Sequence, residues 1–382
     1  MFSTLSEIAN KTQINRSDLN GILPFTDYIQ QCRELIQHKR ADLHQAGINA
    51  QQVIEANSPF ELRKANLDHY QYGALLIHGL FDCPLSLRDI GNQLQANGIL
   101  TRSILLPGHG TVPSDLLRVD YEEWVQTVRY GVESLSHEVD HVILVGYSMG
   151  AALALHHALQ DSRIAKIIMI APAIKIKAPV DIVVNWHKFL KLFSRKKEWI
   201  YQEDETDYAK YQSIAFNPVT QISRLIEHTN QLQTQHTLHC PIFMVMSRED
   251  ETVSSHIAID FFSTLRHPDS RLLLYTSSKH RYPDARIKPR LTHYPKLHIH
   301  HFSHIASLFQ PNNVHYGVTG DYVHASHTHR KDFIYGAFNH LEVSIFDVLY
   351  NLGLVGNRRR ELTYNPDFDH MANEINTFIQ TT

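Results

Sequence analysis

The 382-residue chain has little cysteine: Cys32, Cys83 and Cys240 are its only three. A sparse, odd and unpatterned set of thiols excludes a disulfide-built scaffold. The chain also lacks any run near the ~18 apolar residues that a spanning helix needs. It lacks a charge imbalance, with a formal net charge of -3. That balance argues against nucleic acid or an anionic membrane as a partner. Its start, Met-Phe-Ser-Thr-Leu-Ser-Glu-Ile, lacks the basic opening and apolar run of a secretory signal. The expectation from these absences is a soluble, cytoplasmic protein. There are no internal repeats and no low-complexity tract.

What is present is ordinary globular composition, 43% hydrophobic and 20% charged, in a chain long enough for one large core or a core plus an inserted lobe. The one compositional oddity is 27 histidines, many of them between His293 and His329.

Residues 1–70 carry no clear chemistry and read as an N-terminal helical extension. Within it, 26–43 has few breakers. Tyr28, Ile29, Cys32, Leu35 and Ile36 recur at helical spacing and give it one apolar face to pack on the main domain. From about residue 72, short apolar strands alternate with helices. Strands are expected at 74–77, 103–106, 141–145, 166–170, 241–246 and 271–275, and helices at 85–96, 121–136 and 151–159. A last strand is expected at 296–302. This alternation predicts an α/β fold with a mostly parallel central sheet flanked by helices. The expected core is 71–172 with 239–382. The 173–238 stretch is too long for a plain crossover, and it reads as an inserted, mostly helical cap. Trp186, Phe189, Leu190, Phe193 and Trp199 sit there among five cations, Lys188, Lys191, Arg195, Lys196 and Lys197. That pattern suits a lid over an apolar substrate channel, with a transient rest on a lipid surface, and equally a helix packed on the core.

Gly146-Tyr147-Ser148-Met149-Gly150 matches Gly-x-Ser-x-Gly. The chemistry needs a sharp turn from strand to helix that lifts a serine hydroxyl clear of the sheet, so its neighbours must be tiny. An apolar strand leads in and the small residues Ala151, Ala152 and Ala154 lead out. Ser148 is the candidate nucleophile, and the N–H of Met149, at the helix N-terminus, a candidate oxyanion donor. Upstream, His78-Gly79-Leu80 follows another apolar strand. Leu80 is the candidate second donor, with Phe81 as the runner-up.

The segments His78-Gly-Leu-Phe-Asp82, Leu106-Pro-Gly-His-Gly110 and Gly146-Tyr-Ser-Met-Gly150 together resemble the lysophospholipase and monoacylglycerol-lipase-like, serine aminopeptidase S33-type branch of the α/β-hydrolases. The resemblance runs from about residue 72 to the C-terminus. It implies the α/β-hydrolase fold with an inserted cap, a Ser-Asp-His order along the chain, and ester substrates that often bear an acyl chain. On this reading His78, Gly79, Tyr147, Trp186 and Phe189 line the substrate. A small-molecule ester is the expected partner, acyl lipid included, with no cofactor and no metal.

The acid belongs just past the strand at 241–246, in Ser247-Arg-Glu-Asp250-Glu-Thr-Val253. Where the family usually shows Gly-x-x-Asp-x-x-Val, this chain has Ser247 for the glycine. Asp250 holds the acid's place, with Glu249 and Glu251 as close competitors. The base has two candidates. His304, in Ser303-His304-Ile305-Ala306, is favoured because it stands directly at the end of the strand expected at 296–302. His280 is the alternative, in an irregular polar loop after 271–275. His298 and His300, on one face of that expected strand, have the spacing of zinc ligands, but no acidic or cysteine partner stands at a motif spacing. The histidine-rich segment therefore reads as polar surface, and His109 as a structural loop residue. The expected chemistry is ester hydrolysis through an acyl-enzyme. Thioester or amide cleavage by the same triad is the nearest alternative, and a non-catalytic binding protein on the same fold is the rival from another class.

Overall fold

The computed structural model describes residues 22–45, 47–174, 198–322, 333–338 and 340–381. Trp186, Phe189, Leu190 and Phe193 of the expected cap helix lie outside the described residues, as do His324, His327 and His329, whereas Trp199, expected on the same helix, begins a short strand. The chain divides into two compact units. One takes residues up to Ile167 together with Ala178–Cys240, the other Ile168–Lys177 with Pro241–Thr382.

The first unit opens with helix α1 (Phe25–Lys39), whose buried face is Phe25, Tyr28, Cys32, Leu35 and Ile36. It packs as its periodicity predicts. Tyr28 Oη donates to the Leu105 carbonyl at 2.9 Å and accepts from the Leu105 N–H at 3.0 Å. Helix α2 (Ala50–Asn57) follows, then strands β1 (Phe60–Leu62) and β2 (Tyr70–Ile77), helix α3 (Arg88–Ala96), β3 (Leu100–Ile104), α4 (Tyr121–Ser136), β4 (Val139–Tyr147), α5 (Met149–Ala158) and the first part of β5 (Ile164–Ile170), whose last three residues are counted with the second unit. Strand β2 pairs in parallel with β3 on one side and with β4 on the other. Strand β1 pairs with β3 in the antiparallel sense. Helix α4 begins on a capping box in which Asp120 and Glu123 exchange bonds with each other's backbone. The strand expected at 103–106 lies earlier, at Leu100–Ile104; Leu105 and Leu106 follow its end and lead into the turn at Pro107-Gly108. Of the expected cap, the described part holds a short antiparallel pair, β6 (Trp199–Tyr201) and β7 (Ile214–Ala215), and the long helix α6 (Phe216–Gln235).

The second unit carries β8 (Ile242–Ser247), α7 (Ser255–Thr264), β9 (Arg271–Thr276), β10 (Ile287–Leu291), β11 (Phe333–Gly336), α8 (His340–Asn351), β12 (Arg358–Glu361) and α9 (Phe368–Gln380). Strands β8, β9 and β10 are parallel neighbours. The N–H of Ala171, just past β5, donates to Val245 of β8 at 2.8 Å. β11 and β12 form a separate parallel pair.

One expected strand is corrected. Residues 296–302 are not a strand. Pro295–Leu297 forms a single 3₁₀ turn that ends on His298 in the left-handed region, φ 56°, and only Ile299 makes isolated bridges, to Tyr294 and Tyr335. The additional strand is β10, which follows the polar loop after 271–275 and is not among the expected strands. His298 and His300 therefore do not share a strand face.

Strands and helices alternate as the apolar runs predict, and the sheet is mostly parallel. This is the α/β-hydrolase fold.

Candidate active site

The first unit holds the candidate nucleophile. Strand β4 ends at Tyr147 and α5 starts at Met149, so Ser148 alone makes the turn, at φ 52° and ψ -113°. A non-glycine residue there is strained, and such strain persists only where the surroundings enforce it. Two glycines enforce it. A Cβ on Gly150 would stand 1.9 Å from the Ile77 carbonyl oxygen, and one on Gly146 2.3 Å from that of Gly150. No side chain fits at either position, which is the physical content of the motif. Helix α5 is buried along its whole length, so the strained turn rests on a rigid support. Met149 is its first residue, and the first N–H groups of a helix have no partner within it.

The loop after β2 is equally well held. His78 is fully buried and neutral by construction. Its Nδ1 lies 2.8 Å from the Gly79 carbonyl, and its Nε2 accepts the Leu106 N–H at 3.1 Å. Burial, with His109 beside it, pushes the His78 pKa well below the ordinary imidazole value. Burial also lowers His109, to about 4; its Nδ1 lies 3.1 Å from the Pro107 carbonyl and its ring stacks on Tyr211. A Cβ on Gly79 would press on the Tyr147 ring at 2.9 Å, so this glycine lets the loop lie against the nucleophile's neighbour. Leu80 and Phe81 follow, both partly exposed, with Phe81 at φ 64°.

Two residues that hold this loop escape sequence reasoning. The N–H of Tyr211, from the segment between β6 and β7, donates to the Phe81 carbonyl at 2.8 Å. Its hydroxyl accepts from the Thr111 N–H at 2.8 Å and donates to the Gly108 carbonyl at 3.2 Å. Asp82 is buried and accepts the Cys83 N–H at 2.8 Å. Burial raises its pKa to about 7, against the pull of nearby Lys210. Asp82 stands at the end of His78-Gly-Leu-Phe-Asp82, whereas nothing in the sequence marks Tyr211.

The second unit holds the candidate acid and base. Asp250 lies in the turn after β8, its side chain wholly buried. Its Oδ1 accepts the N–H groups of Thr252 and Val253, each at 2.8 Å. Its Oδ2 lies 2.7 Å from His304 Nδ1. With two donors already on the carboxylate, Nδ1 carries the proton and Nε2 is left as the basic nitrogen. The competing acids sit elsewhere. Glu249 accepts the N–H and hydroxyl of Ser277 at 3.0 and 2.7 Å. Glu251 faces the backbone N–H of His304 and not its ring. His280 is exposed. His304 follows an irregular stretch and not a strand.

The other histidines are dispersed into separate roles. His301 Nδ1 accepts the Ala337 N–H at 2.8 Å, His315 pairs with Asp321, and His293 meets His300 edge-on at 5.7 Å. Among the described residues, no group of three or more His, Cys, Asp or Glu side chains could hold a metal ion. No described helix is long and apolar enough to cross a membrane.

The sequence model of the serine aminopeptidase S33 family matches residues 73–283. A thermostable monoacylglycerol lipase of Bacillus sp. (strain H-257) is 24% identical over 208 residues, 54% of this chain and 82% of the lipase. A carboxylesterase of Bacillus subtilis (strain 168) is 22% identical over 216 residues, 54% of this chain and 83% of the esterase. Among solved structures, one reported for LipS and LipT, two metagenome-derived lipolytic enzymes, aligns at a TM-score of 0.48 with 20% identity, over 57% of this chain and 86% of that one.

Proposed function

The chain belongs to the serine aminopeptidase S33 family of α/β-hydrolases, in the monoacylglycerol-lipase-like branch, and from that premise we propose that it is a serine hydrolase that cleaves carboxylic esters through an acyl-enzyme on Ser148. The observation that carries this reading is the strained turn at Ser148. A backbone kept at φ 52° by two sterically obligatory glycines has a clear purpose if its side chain is a nucleophile.

The steps follow from the groups present. His304 Nε2 takes the Ser148 hydroxyl proton as Oγ adds to the ester carbonyl. The carbonyl oxygen, now negative, receives the N–H groups of Met149 and Leu80, with the dipole of α5 favouring charge there. The tetrahedral adduct collapses, the C–O bond to the alcohol breaks, and His304 returns its proton to the leaving oxygen. Water, deprotonated by the same nitrogen, then adds to the acyl-enzyme, the bond from the acyl carbon to Ser148 Oγ breaks as His304 returns the proton to Oγ, and the acid is freed. Asp250 keeps Nδ1 protonated throughout and offsets the imidazolium charge. His78 and Gly79 shape the oxyanion loop, and Tyr147 backs it.

The core proposed is 71–172 with 239–382, and 173–238 is the cap over the substrate. The curated relatives' names, monoacylglycerol lipase and carboxylesterase, favour a small-molecule ester with an acyl chain. The test is a series of p-nitrophenyl esters of graded acyl length. Turnover that peaks within the series supports the proposal and sets the chain length. Wild-type protein that cleaves no member would overturn it.

A further inference from the structure

His304 is 54 positions beyond its acid and no regular strand leads into it, so something else must fix its place. Phe302, Ser303 and His304 are tied down by side chains. Ser247 Oγ donates to the Phe302 carbonyl at 2.7 Å, and Ser303 Oγ donates to the Leu362 carbonyl. The third tie is Glu251. Its two carboxyl oxygens lie 3.2 and 3.1 Å from the backbone nitrogen of His304. Asp250 and Glu251, adjacent on one turn, thus grip the same histidine at two points, ring and backbone. A single bond to Nδ1 lets the imidazole pivot about that bond. A second hold on the main chain removes the pivot and fixes where Nε2 lies.

We propose that Glu251 is a positioning residue for the base, holding the His304 backbone so that the Asp250–His304 bond presents Nε2 in one place. The inference rests on the reading of His304 as general base. The groups facing Glu251 are Asp250, Glu361 and His304 itself. Burial, reinforced by the two carboxylates and opposed by His304, raises the Glu251 pKa to about 8. A neutral carboxyl still accepts an N–H through its carbonyl oxygen. Neutral, it also places no second negative charge beside the imidazole. Above about 8 it ionises and does so.

Glu251→Ala and Glu251→Gln separate this role from mere packing. Glu251→Ala is expected to lower kcat by at least about tenfold with KM within about twofold, because a misplaced base affects the reaction and not binding. Glu251→Gln keeps an oxygen for the same N–H and is expected to recover most of kcat at pH 7. The wild-type pH profile is expected to carry an extra inflection near 8 that Glu251→Gln lacks. A readout free of turnover is the downfield proton resonance of His304 Nδ1–H, expected in the wild type and in Glu251→Gln and lost in Glu251→Ala. The inference is overturned if Glu251→Ala keeps both wild-type kcat and the resonance, or if Glu251→Gln is as impaired as Glu251→Ala. Should Glu251→Ala not fold, Glu251→Gln decides: kcat near the wild-type value with the His304 Nδ1–H resonance kept supports the role, and loss of both with the fold intact overturns it. Wild-type protein without ester turnover would sink the proposed function, and the resonance would still report on Glu251.

Discussion

Asp250 Oδ2 and His304 Nδ1 lie 2.7 Å apart although the residues are 54 positions apart in the chain. The bond is specific in direction, because Asp250 Oδ1 is already committed to the N–H groups of Thr252 and Val253.

That commitment predicts the effect of Asp250→Asn. The amide oxygen keeps the two backbone bonds, so the NH₂ faces His304 and forces Nδ1 to accept. The ring proton then sits on Nε2, where the base should be. Turnover of a p-nitrophenyl ester is expected to fall by about 10⁴-fold in kcat with the fold intact. A loss of less than about tenfold would mean that the tautomer does not matter.

His304 and His280 are separated by a second pair of variants. His304→Ala is expected to cost at least about 10³-fold in kcat. His280→Ala, at an exposed loop position, is expected to leave kcat within about twofold. The reverse pattern, read in the same assay, would move the base to His280.

The buried pair His78 and His109 predicts how stability depends on pH. Burial holds both below the ordinary value, His109 at about 4 against 6.5. The unfolded chain therefore takes up protons first as pH falls. Their contribution is intact above about 6.5 and is lost as pH drops towards 4, each proton adding a slope of about 1.4 kcal/mol per pH unit. Urea midpoints between pH 7 and 5 are expected to fall less steeply for His109→Phe than for the wild type. Equal slopes would show that His109 is not held neutral.

The parts legible in the sequence were those set by local sterics. Gly146 and Gly150 announce the turn at Ser148 because no other residue fits, and apolar runs such as Ile242–Ser247 are strands because both faces are buried. Strand β10 is nearly silent for the opposite reason. Four of its five residues are exposed and Pro289 stands within it, which only an edge strand tolerates. The alternation of Leu297, Ile299 and the histidines imitates a strand, but Pro295 and the left-handed His298 close a turn there instead. His304 was identifiable as a residue and not as the end of a strand. Tyr211 and Glu251 were invisible as supports, because what they hold lies 130 and 53 positions away in the chain.

The most direct test is labelling with a fluorophosphonate probe, which forms a covalent bond only to an activated serine. The wild-type protein is expected to take up one equivalent at Ser148, and Ser148→Ala none. Stoichiometric labelling that persists in Ser148→Ala, or a folded wild type that never labels, would contradict the account.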